Sequence, residues 1–379
     1  MSQTLRFLDS QNSQFFHTVR TRIEDYFKTN NISKYANSAM VWKTVLYLGS
    51  FVALYFTILF EVFPTYINLF LAIALGMNMS FIGFNVCHDA IHGSYSKKPW
   101  VNKMLGFIFN IIGANVYVWN ITHNKIHHTY TNIIGHDGDL DVAPGMVRVS
   151  PEEKLKPIHR YQHFYAFFLY SLASLSWFFR KDYMKFFQKK VGSHVNKHPK
   201  IEYFNLFFYK FIYYSLFIII PLVVMEITWW QFLIGFLMMN FAEGLVLALV
   251  FQLAHLVQDT EMPHPAEHEN IEESWAEHQM RTTANFSINS KSAAFFCGGL
   301  NFQIEHHLFP KVCHIHYPKI SAIVKETALE FGLPYHENGT FYSALQSHYR
   351  FLKLAGSPEF GMEESTKAIT EQYTNAPAA

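Results

Sequence analysis

Four stretches of this 379-residue chain are long, apolar and almost free of charge, and each has the length a bilayer demands. A spanning helix needs roughly 20 mostly apolar residues, within about 17–25. The candidates are 44–60, 66–86, 204–224 and 232–253. Pro64 breaks the chain between the first two, and a short join at 225–231 with Trp229 and Trp230 separates the last two. The pattern predicts an all-α integral membrane protein with four spans in two hairpins. Charged side chains make up only 16% of residues against 50% hydrophobic, where a soluble domain carries about 25% charged. A net charge of +1 gives no global field for nucleic acid. Three cysteines, none in a C-x-x-C pair, exclude a disulfide scaffold and a zinc ribbon.

Basic residues set the expected orientation. No Lys or Arg occurs from Thr44 to Ser96, nor between Phe211 and Met280. Arg6, Arg20, Arg22, Lys28, Lys34 and Lys43 precede the first span, and Lys97, Lys98 and Lys103 follow the second. The positive-inside rule then places both termini and the long middle segment in the cytoplasm. Residues 1–43 form a cytoplasmic segment with no cleavable signal peptide, and 44–320 form the membrane domain. Residues 321–356 complete a helical cytoplasmic cap, and 357–379 read as a disordered polar tail. Two weaker apolar stretches, Val101–Trp119 and Phe164–Phe179, are expected as interfacial helices or as buried helices of the cap. Lys210, near one end of the third span, is expected to snorkel.

Twenty-one histidines are the second anomaly, and eight of them form groups. His88 and His92 stand at i, i+4. His123, His127 and His128 stand at i, i+4, i+5. Gln303, His306 and His307 form Q-x-x-H-H, and His255 follows the fourth span. On an α-helix i and i+4 share a face, while an adjacent residue is turned by about 100°. An H-H pair therefore suits two ions better than one. The topology puts all four groups on one side of the membrane, so separate pieces of chain can meet at one site. Eight imidazoles without a carboxylate exceed a four-coordinate zinc site, and H-E-x-x-H is absent. Imidazole suits iron, copper, nickel and zinc. Non-haem di-iron fits the ligand count best, with di-copper left open by spacing alone.

H-D-A-I-H at 88–92, H-N-K-I-H-H at 123–128 and Q-I-E-H-H at 303–307 resemble the three histidine boxes of the membrane fatty-acyl desaturases. The glutamine that opens the third box is similar to the front-end, linoleoyl-CoA desaturase-like branch. W-N-I-T-H-N-K-I-H-H-T-Y-T-N at 119–132, F-Q-L-A-H at 251–255 and H-H-L-F-P at 306–310 extend the likeness over about 40–320. The resemblance implies two iron ions, O2 as co-substrate, and an acyl chain held in a kinked tunnel. It implies His88, His92, His123, His127, His128, His255, His306 and His307 as metal ligands, with Gln303 as a weak or water-mediated one. The substrate would be an acyl-CoA, an acyl carrier or a phospholipid. Many eukaryotic front-end members carry a fused cytochrome b5 domain. Here no His-Pro-Gly-Gly occurs and 43 residues precede the first span, so electrons are expected from a separate ferredoxin or cytochrome b5 with its reductase. That points to a bacterial plasma membrane, with the site on its cytoplasmic face.

Other residues imitate sites. His264 and His268 repeat the i, i+4 spacing, but Pro265 between them breaks a helix. Asp137, Asp139 and Asp141 lack the glycine and closing glutamate of a calcium loop. With Asp89 they are expected to accept hydrogen bonds from ligand imidazoles. His314, His316 and Cys87 are expected to be structural. Glu243, mid-span and about 18 Å before His255 along the helix, is expected to pack the hairpins together. Three alternatives remain: a hydroxylase on the same scaffold, a membrane zinc hydrolase, and a transporter that leaves the histidines without a role.

Overall fold

The computed structural model describes residues 5–140, 143–192, 194–263 and 270–361. Asp141, His264, His268 and residues 362–379 lie outside them. The described residues are mostly helical, and their strands are two-residue pairs. Among the described residues, four helices are long and apolar enough to cross a membrane: Ser38–Leu59, Thr65–His92, Lys200–Val224 and Trp229–His255.

The second and fourth of these run further than their hydropathy suggests. The second continues past residue 86 through a π-helical turn, Gly83–Cys87, directly into His88–His92. The fourth continues to His255 itself. Apolar composition ends where lipid contact ends, whereas a helix ends where its backbone bonds end. Gly93, with φ +74°, closes the second by adopting a left-handed conformation that costs a glycine little. Three ligating candidates are thereby extensions of the spans, fixed to the most rigid elements of the molecule.

These two spans pack against each other at Gly76. A Cβ there would overlap the Met239 carbonyl, so only glycine permits the approach. Small residues serve this purpose where lipid gives no hydrophobic drive to helix association. Just beyond, the Ser80 hydroxyl donates to the Glu243 carbonyl oxygen at 3.0 Å. Asn240 accepts from Ser174 and Tyr213. Glu243, on the fourth span, is 1% exposed at this packed level.

Lys210 does not snorkel. Its ammonium is buried and lies 2.7 Å from both Asp182 Oδ2 and the Gly113 carbonyl oxygen. Asp182 also accepts from the Asn115 amide and the Trp177 indole. A charge this deep is stable only when paired, and its partner comes from a different helix. The stretch Val101–Trp119, expected as an interfacial helix or a buried helix of the cap, is two helical pieces, Pro99–Ile111 and Val116–His127, meeting at 111°. Phe164–Phe179 spans Gln162–Ser171, Ala173–Ser176 and part of a π-helical turn.

Candidate metal centre

The second histidine group sits in a π-helical segment, Asn120–His127. There the His128 amide donates to the His123 carbonyl oxygen, an i→i+5 bond. Residue i+5, not i+4, therefore comes back over residue i. His123 Nε2 and His128 Nε2 stand 3.2 Å apart, while the His127 ring turns toward the fourth span. The third group occupies a short helix, Gln303–Leu308, whose adjacent His306 and His307 rings lie at 86° to one another.

All eight histidines meet. His88, His92, His123 and His306 present one ring nitrogen each, all within 4.8 Å of one another. His127, His255 and His307 form a second such group, and His128 with His306 and His307 a third between them. Seven of the eight are buried, and His92 is partly so. Gln303 joins the second group. Its amide nitrogen is placed 2.9 Å from His255 Nε2 and 3.2 Å from His307 Nε2. With metal–nitrogen bonds of about 2.0–2.1 Å, neighbouring ligand atoms on one ion stand about 3 Å apart. These short separations thus match the edge of a coordination shell.

The residues fit metal ions by a second test. Nε2 of His88, His92, His127 and His306 is buried with no hydrogen-bond partner, as is Gln303 Oε1. Buried polar atoms are rarely left this way, and three in the first group with two in the second call for a ligand in each. Burial and the surrounding histidines hold His128, His306 and His307 well below the usual imidazole range, so each stays neutral and able to coordinate.

Surrounding groups orient the rings. His127 Nδ1–H donates to Asp137 Oδ2 at 2.9 Å. Burial alone would lower His127, but Asp137 overcomes it and raises the ring. Asp139 lies 4.0 Å from His123 and 3.1 Å from Lys181. Asp89 does something else: it accepts from His314 Nδ1–H at 2.8 Å and from the Cys313 thiol at 3.0 Å. That explains His314 as structural and removes Asp89 from the role expected for it. His316 donates to the Tyr35 carbonyl oxygen. Trp119 stacks on His123 with ring centroids 4.2 Å apart.

Gln279, Thr131 and Glu305 add buried polar contacts around the site that the histidine spacing does not single out. Gln279 Oε1 lies 2.7 Å from His307 Nδ1 and 2.8 Å from the Thr131 hydroxyl. Glu305, inside the third box, accepts from Asn285 and Tyr335. Burial pushes its carboxyl up to about 7 against those two bonds.

Comparison with known proteins gives one consistent answer. The family model described as fatty acid desaturase matches residues 64–339. An sn-1 linoleoyl-lipid 6-desaturase of Arthrospira platensis is 36% identical over 361 residues, covering 95% of this chain and 96% of that protein. A Synechocystis protein of the same description is 34% identical, covering 92% and 97%. An acyl-lipid (8-3)-desaturase of Physcomitrium patens is 35% identical, covering 95% of this chain and 75% of that protein.

Proposed function

Because this chain belongs to the fatty acid desaturase family, and is an oxidoreductase that desaturates fatty-acyl chains, we propose that its eight clustered histidines hold two iron ions. When bound and supplied with two electrons, the irons would activate O2 to break an unactivated C–H bond, which no side chain can do. The unpartnered Nε2 atoms, those of His88, His92 and His306 in one group and of His127 in the other, carry this reading.

The chain's own residues then have distinct tasks. His88, His92, His123 and His306 would hold one ion, and His127, His255 and His307 the other. His128 stands between the two groups. Gln303, with its amide turned so that Oε1 faces His255 and His307, would add an oxygen to the second. Amide orientation is set by the hydrogen-bond network, and a metal ion reverses what that network prefers. Asp137 keeps the proton on His127 Nδ1, which leaves Nε2 free. Trp119 covers His123, and the packing around the cluster excludes water.

The substrate we infer is an acyl chain esterified in a membrane lipid, as the names of the Arthrospira and Synechocystis relatives state for those proteins. The site would lie on the cytoplasmic face of a bacterial plasma membrane, since the basic residues flank the spans on the histidine side. Metal analysis with product analysis tests this. About two irons per chain, and a cis double bond appearing in intact membrane lipids of a desaturase-null host, are expected. One zinc per chain, or a hydroxylated product, would overturn it.

A further inference from the structure

The short helix Trp275–Thr282 carries no histidine of the cluster, yet it is bonded to two of the segments that do and bridged to a third through Asn132. The Trp275 indole donates to the His128 carbonyl oxygen at 2.8 Å, and His278 Nε2–H donates to the Thr131 carbonyl oxygen at 2.8 Å. Asn132 donates to the carbonyl oxygens of both Thr282 and His255. Gln279, fully buried on this helix, faces His307.

We propose that Gln279 is a positioning residue for the second metal position: its amide oxygen holds the proton on His307 Nδ1 and so directs the Nε2 lone pair at the ion. This rests on the metal reading above. A neutral imidazole has one donor and one acceptor nitrogen, and whichever carries the proton cannot ligate. At 2.7 Å, Gln279 Oε1 can only accept from His307 Nδ1–H. The Thr131 hydroxyl lies 2.8 Å from the same oxygen and 2.7 Å from the His127 carbonyl oxygen, its single proton shared between these two acceptors, and so sets the amide beside the segment of the second histidine group. One side chain thus couples the second and third boxes and fixes a tautomer. It also makes the second group uneven. His127 is backed by the carboxylate of Asp137, His307 by a neutral amide. Replacing that amide with a carboxylate should make His307 the stronger donor.

The test uses the full chain in detergent, loaded with ferrous iron and challenged with a chelator. Wild type should hold two irons. Gln279→Leu should release one of them about 10–100-fold faster, leave the other at the wild-type rate, and unfold at the wild-type temperature once metal is removed. Gln279→Glu should keep both and release that same iron more slowly than wild type. Wild-type release from both positions of Gln279→Leu would overturn the proposal while the metal reading stands. If Gln279→Leu does not fold, unaltered release from Gln279→Glu overturns it instead. A wild-type protein that binds no iron overturns both.

Discussion

Gln303 and its neighbours give the sharpest expectations at the level of single residues. His127→Ala and His307→Ala each remove a nitrogen from the second group without touching a span, so both should lose product while helical content stays intact. Circular dichroism and lipid profiling check this, and full turnover by either variant would contradict it. Gln303→His places an imidazole one turn from His307 and should keep part of the activity. Gln303→Ile, of similar bulk but without a ligand atom, should lose most of it. Equal turnover by these two variants would take Gln303 out of the site. The eight histidines were legible because a ligand must be a specific residue type and several must share one side of a membrane. Gln279 and Thr131 were not, because an amide or hydroxyl that orients a ring is recognised only by what it touches, and here the partners lie 28 and 176 positions away along the chain.

Spans were readable as elements, but their ends and their buried charges were not. The second span outruns its hydropathy because a π-helical turn carries it into the first box, and periodicity has no signature for such a turn. Lys210 illustrates the same limit. A lysine near a helix end suggests an outward reach, and only the folded chain reveals Asp182 beside it. Lys210→Met should destabilise the protein by about 3–5 kcal/mol, since it strands a buried carboxylate. The double variant Lys210→Met/Asp182→Asn should recover most of that loss, measured as unfolding temperature in detergent. Strict additivity of the two single losses would mean the pair is not coupled.

The C-terminal helix Phe341–Ala355 is fastened by His348, whose Nδ1–H donates to the Leu256 carbonyl oxygen while Nε2 accepts from the Tyr170 hydroxyl. Burial pushes His348 down to about 4, against about 6.5 in an unfolded chain. The folded state therefore binds fewer protons than the unfolded one in that window. The stability from this group is complete above pH about 6.5 and drains away as pH falls toward 4. His348→Gln keeps a donor and an acceptor but cannot titrate. Its unfolding free energy should fall less steeply between pH 6.5 and 4, by up to about 1.4 kcal/mol per pH unit. Identical slopes in the two proteins would exclude His348 from the acid response.

For the molecule as a whole, the orientation of the bundle and the supply of electrons are one problem. The second and fourth spans both end in histidines, and the first and third both begin beside basic residues, so chemistry and positive charge share one side. Desaturation consumes two electrons per turnover, and the sequence contains no His-Pro-Gly-Gly and no dinucleotide-binding G-x-G-x-x-G. We therefore expect electrons to arrive through a transient protein contact on that side. Lys97, Lys98, Lys154, Lys156 and Arg160 are all exposed and suit an acidic ferredoxin or cytochrome b5. Contacts of that kind are small and weaken with salt. Purified protein with iron, O2 and lipid substrate should complete no more than one turnover. Adding NAD(P)H, a reductase and an acidic carrier should restore repeated turnover, which falls as salt rises. Replacing Lys97 and Lys98 by Glu should raise the carrier concentration needed for half-maximal rate and leave single-turnover yield unchanged. Sustained turnover from NAD(P)H alone would show that this chain accepts electrons without a carrier.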